Sequence, residues 1–130
     1  MFRIKIIIAL LCFLTFLGCD DTLTEDTLPE IPDSNVSFSK HLQPVFELKC
    51  VGCHNESQKE GGLSLTTWSS TTNDPGVVFP GNPDNSRLVW SIEGRAGVNP
   101  MPPIGSAITP FTAKEVKGVR TWITEGALNN

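Results

Sequence analysis

The chain of 130 residues contains no apolar run long enough to cross a bilayer. Its longest stretch of that kind, Ile6 to Leu17, has 12 residues, whereas a spanning helix takes about 20. From Asp20 onward there is no lysine or arginine until Lys40, and no basic patch follows of the sort a nucleic-acid partner would require. No succession of buried parallel strands can be read, which argues against a redox fold built on βαβ units. Cysteine is scarce: of four residues, two fall within the first 19. No disulfide framework is therefore available to the remainder, which must be held together another way.

The N-terminal residues read as targeting information. Arg3 and Lys5 provide a positive start before the apolar stretch, the pattern of an export signal over residues 1–18. Phe16-Leu17-Gly18-Cys19 resembles the lipobox of bacterial lipoproteins, departing from it at Phe16, where leucine is usual. The resemblance implies lipid attachment at Cys19. An ordinary cleaved signal followed by a free thiol is the alternative, but an exposed unpaired cysteine is a liability in an oxidising space. Residues 19–36 then carry Asp20, Asp21, Glu25, Asp26, Glu30 and Asp33 among Thr, Pro and Ser. Such a segment buries little and repels itself, and it reads as an acidic, disordered tether. The competing reading is an acidic recognition tail for a basic partner. From Ser37 to Asn130 the chain holds eight residues of each sign; it is one domain's worth of sequence without an internal repeat.

What that domain does contain is Cys50-Val51-Gly52-Cys53-His54. The C-x-x-C-H spacing is the attachment signal for a c-type haem. Two thiols one helical turn apart can add across the two vinyl groups of a porphyrin, and the next imidazole, His54, is carried under the ring to bind iron. Three other readings exist. A zinc site would have to recruit His41 beside Cys50, Cys53 and His54, in a spacing foreign to zinc fingers. A redox-active C-x-x-C lacks its βαβ setting. A plain disulfide leaves His54 unexplained.

A second iron ligand has one candidate. Asn99-Pro100-Met101-Pro102-Pro103 is a stiff loop, because prolines on both sides fix φ and remove backbone donors. Met1 leaves with the signal, so Met101 is the single thioether of the exported chain. A methionine opposite a histidine is the axial pair of electron-transfer cytochromes, with sulfur favouring ferrous iron. As hydrophobic filler Met101 would need no such loop.

The remaining elements are helical. Phe38 to Lys49 places Phe38, Leu42, Val45 and Phe46 on one face, with Ser37 as N-cap and a kink or break expected at Pro44. His41 reads as a surface residue, since it lies on the attachment-motif side of the ring. Leu63 and Leu65 suit an extended segment along a haem edge, Thr66 to Asp74 reads as loop, and Trp68 as core. Asn82-Pro83 opens a helix with Leu88, Val89 and Ile92 on its apolar face, ended by Gly94. Thr112-Ala113-Lys114-Glu115 is a capping box, with Phe111 and Val116 in staple positions. The helix it starts buries Val116, Val119 and Ile123 and stops at Gly126. Gly118 in its middle costs about 1 kcal/mol against alanine, which implies a close crossing by another element, expected to be the Phe38–Lys49 helix.

Taken in order, Cys50–His54, Gly61-Gly62-Leu63-Ser64-Leu65, Gly81-Asn82-Pro83-Asp84-Asn85-Ser86, Met101-Pro102-Pro103 and Trp122-Ile123-Thr124-Glu125-Gly126-Ala127 resemble the small monohaem cytochrome c domains of the planctomycete type, relatives of class I cytochromes c. The resemblance spans Ser37 to about Ala127. It implies an all-α, class I cytochrome c-like fold: three to four short helices around one covalent haem c, joined by long irregular loops. It further implies Cys50 and Cys53 as attachment points and His54 and Met101 as axial ligands. The function it implies is one-electron transfer rather than enzymatic catalysis. The carrier would be lipid-anchored on the periplasmic or surface side of a bacterial membrane and would serve membrane-associated redox partners. The alternative is a haem peroxidase or gas sensor in which Met101 dissociates, and this would call for a distal histidine or arginine. A third possibility is a non-redox appendage of a larger lipoprotein assembly. Pro75–Pro80 has no assigned place.

Overall fold

The computed structural model describes residues 22–130; the signal reading of residues 1–18 and the lipid site at Cys19 lie outside them. The described residues form helices and turns without a strand, the all-α class expected. No described helix is long and apolar enough to cross a membrane.

The first element is broken where Pro44 requires it. Phe38–Leu42 is a single wide, π-type helical turn, and α1, Gln43–Lys49, restarts with the proline in its first turn, where the missing N–H is not needed. The Ser37 hydroxyl caps the start by accepting from the Lys40 N–H. Next comes α2, Trp68–Thr72, in the stretch read from its Ser/Thr content as loop. The polar residues build the helix start instead. Thr67 and Ser70 form a reciprocal capping box, while the Trp68 indole N–H donates to the Ala127 carbonyl at 2.7 Å. Asn82-Pro83 opens only a 3₁₀ turn, Pro83–Asn85, and α3, Arg87–Ile92, follows from Ser86. α4, Ala113–Thr124, begins with the expected Thr112/Glu115 capping box.

The core sits between the Phe38–Lys49 segment and α4. Phe38 stacks obliquely on Trp122, with ring centres 5.4 Å apart, and edge-on to Phe46 at 6.1 Å. Leu42, Val45, Val119 and Ile123 complete it, all essentially excluded from water. Burying each of these aliphatic side chains contributes about 1.5–3 kcal/mol.

Residues 22–36 correct the tether reading. They lie along α4 as a strap. Ile31 and Val36 are buried, Glu30 pairs with Lys114 and Asp33 with Lys117, and the Glu125 carboxylate accepts the backbone N–H groups of Asn35 and Val36. The acids that seemed to repel one another meet cations one helical turn apart on α4, and two apolar side chains anchor the path. The strap also corrects the partner assigned to Gly118, whose missing Cβ makes room for Ile31 and not for the Phe38–Lys49 helix.

Candidate functional site

α1 ends at Lys49, and the chain immediately coils into a further turn in which the Cys53 and His54 N–H groups both donate to the Cys50 carbonyl, at 3.1 and 2.9 Å. Asn55 stiffens this turn, donating from its side-chain amide to the Val51 carbonyl while its oxygen accepts from the backbone of Ser57 and Gln58. Lys49 anchors the other side. Its side chain is fully buried and pairs with Glu115 at 3.0 Å and Glu25 at 3.2 Å. It also donates to the Pro110 carbonyl and lies 5.5 Å from the Phe111 ring centre. The start of α4 and the end of α1 are thus fixed to one another beside the motif.

Cys50 is buried, Cys53 is half-buried, and neither is in a disulfide. Burial pushes the Cys50 thiol from its ordinary 9.0 up to about 12. A thiol held protonated in this way is a poor nucleophile for disulfide exchange. His54 is oriented through its Nδ1, 2.9 Å from the Glu60 carbonyl oxygen. In a neutral ring, donation from Nδ1–H places the free lone pair on Nε2, the arrangement of a metal-ligating imidazole. The Glu60 N–H donates back to Cys53, and the Leu65 N–H to the His54 carbonyl, so the loop after the motif closes on it.

Cys50 and His54 line a cleft of about 310 Å³ that is also lined by Met101. Its other walls are mainly aliphatic, with Leu63, Leu65, Leu88 and Ile92 among them. The Met101 N–H donates to the Ser91 carbonyl at 3.0 Å, which ties the proline loop to α3; the Met101–Pro102 peptide is cis. Cys53 is not among the lining residues. His41 is elsewhere: its Nδ1 accepts the Ser37 N–H at 2.9 Å, a local role at the start of the Phe38–Leu42 turn. The zinc set that required it is not assembled, and among the described residues no three His, Cys, Asp or Glu side chains are grouped to hold a metal ion.

Two contributors escaped the sequence reading. Val77 and Arg87 line the cleft; Val77 comes from the unplaced Pro75–Pro80 stretch, and Arg87 follows the Gly-Asn-Pro-x-x-Ser motif directly. On α3 the lining residues Arg87, Leu88, Ser91 and Ile92 recur at helical spacing, a signal that was present but was spent on the core-facing stripe through Val89.

Residues 50–105 match the family model described as Planctomycete cytochrome C. The matched stretch contains Cys50, Cys53, His54 and Met101. Neither a curated protein nor a solved structure matches the chain. The cofactor that the family carries is covalently bound haem c, and the donor chemistry here suits it. The cleft combines a thiol, an imidazole with its second nitrogen already satisfied, and a thioether, within aliphatic walls.

Proposed function

We propose that the planctomycete-type cytochrome c domain formed around residues 50–105 serves as a one-electron carrier with His54 and Met101 as axial ligands. When bound, haem c supplies reversible one-electron chemistry between ferric and ferrous iron. The residues supply the rest. Cys50 and Cys53 hold the group covalently, and His54, oriented by the Glu60 carbonyl, offers Nε2. Met101 offers sulfur from a loop fastened to α3, a ligand that favours the ferrous state. The observation carrying the reading is that Met101, far along the chain from the C-x-x-C-H motif, lines the same cleft as Cys50 and His54. With His54 and Met101 both serving as iron ligands, the group would exchange electrons by an outer-sphere route, and the mainly aliphatic cleft walls would limit the access of water to it.

Export and a lipid on Cys19 complete the proposal: the attached domain would stay at a membrane surface and meet membrane-associated redox partners at raised effective concentration. Because residues 22–36 lie along α4, few residues remain between Cys19 and the folded domain. That leash is far shorter than a free tether of 18 residues would give.

A haemochrome spectrum with intact mass on the matured protein tests the assignment, expecting one thioether-linked haem and an acylated N-terminus. Cyanide and CO then separate carrier from sensor or peroxidase. A carrier leaves both unbound while folded; ready binding would favour the alternative in which Met101 dissociates.

A further inference from the structure

Among the described residues, Arg87 is the single Lys or Arg side chain lining the cleft. It is exposed at the cleft's edge, with 57 % of its side chain accessible, and it does not hang free. Its Nε donates to the Gly76 carbonyl at 3.3 Å and its Nη2 to Asp74 at 3.2 Å. Its backbone N–H donates to the same Gly76 carbonyl at 3.2 Å. The turn 74–77 is itself fixed, because the Asp74 carboxylate accepts the Gly76 N–H at 2.7 Å. Val77 of that turn is buried and lines the cleft alongside Arg87. The guanidinium is therefore pre-oriented by the loop and has Nη1–H donors left over, since the fork carries five N–H groups and two are used.

The cleft walls are otherwise mainly aliphatic, with Ser91 and Asn99 as neutral polar residues; the thiol, imidazole and thioether are assigned to attachment and ligation, and the remaining charged lining side chain is the carboxylate of Glu60. A porphyrin held through its vinyl groups still carries two propionate carboxylates on another edge, and these need a cation or solvent. We infer that Arg87, presented by the Asp74–Val77 turn at the edge of the cleft, is the side chain that binds a haem propionate, with Asp74 as its competing anionic partner. The inference rests on the haem reading above. It also gives the Pro75–Pro80 stretch a role, as the support that sets the angle of the Arg87 fork. A guanidinium suits the task because its planar donors match a carboxylate bidentately.

A cation beside the propionate offsets negative charge that otherwise favours ferric iron, so Arg87 raises the reduction potential. Asp74 cancels part of that effect. In purified holoprotein, Arg87→Gln is expected to lower the midpoint potential and to shift the propionate-bending band in resonance Raman. Arg87→Lys is expected to restore part of the potential but not the band position, because an ammonium lacks the fork. Asp74→Asn is expected to raise the potential. Arg95→Gln serves as the control, since Arg95 pairs with Asp84 and Glu93 and does not line the cleft; both readouts should stay put. A haem-loaded Arg87→Gln protein with parental potential and band, or an Arg95→Gln protein that shifts as far, overturns the inference while leaving the haem assignment standing. A wild-type protein that carries no haem removes both.

Discussion

The Ile31 side chain occupies the place that a Cβ on Gly118 would take: its Cγ2 lies 2.5 Å from that position. A glycine in mid-helix is thus the seat of the strap, and the helix-propensity cost of about 1 kcal/mol is set against the burial of an isoleucine, which contributes about 1.5–3 kcal/mol. Gly118→Leu is expected to expel Ile31 and free the strap, with a net destabilisation of about 1–3 kcal/mol. Hydrogen exchange would show it as lost protection at Asn35 and Val36, whose N–H groups Glu125 holds. Unchanged protection there would mean that the ion pairs alone keep the strap in place.

Acid should release the same segment. The Thr109 hydroxyl and then Lys49 hold the Glu25 carboxyl below its usual 4.5. Lys114 does so for Glu30, and Lys117 holds Asp33 below 3.8. Carboxylates depressed in the folded state bind fewer protons there than in the unfolded chain. Their contribution is therefore complete at neutral pH, starts to decline as the pH falls toward 4.5, and is gone once it passes the lowered folded values. Strap protection measured from pH 7 down to pH 3 should fall across that window. Added salt should weaken the exposed pairs at neutral pH as well.

Lys49 and Glu115 form a buried pair whose two halves are not equivalent. Removing the acid leaves a fully buried ammonium with one partly exposed carboxylate, Glu25, and the neutral Pro110 carbonyl as partners, and also breaks the Thr112 capping box. Removing the base leaves Glu115 still accepting the Thr112 N–H at 2.6 Å. Glu115→Ala is expected to cost about 3–5 kcal/mol and Lys49→Met distinctly less, as read by urea denaturation. Equal costs would show that the cap contributes nothing.

Met101→Ala tests the proposed sixth ligand. Loss of the thioether is expected to lower the reduction potential and to convert a protein that does not bind CO into one that binds it stoichiometrically. A spectrum and potential unchanged from the parent would remove Met101 from the ligand set.

Some of this was fixed by neighbours in sequence. Cys50, Cys53 and His54 fall on one turn because of their spacing, Pro44 breaks the first helix wherever it sits, and Thr112 with Glu115 caps α4 through bonds that span one turn. The stiffness of the Met101 loop was legible for a similar reason, since adjacent prolines restrict it before any tertiary contact forms. The strap was not legible. Its composition is that of a disordered segment, and only partners some 84 residues away, Lys114 and Lys117, reverse the sign of its electrostatics. The α2 helix was missed because its Ser and Thr residues cap one another, a choice that composition alone does not reveal. Arg87 was missed because the helical spacing it shares with Leu88, Ser91 and Ile92 was spent on the core-facing stripe through Val89. The sequence by itself determined the turn that carries Cys50, Cys53 and His54 and the short-range caps, which depend on bonds within a few residues. The tertiary structure alone decided which surface receives the acidic segment and which cation stands at the cleft's edge, because both depend on groups brought together by packing.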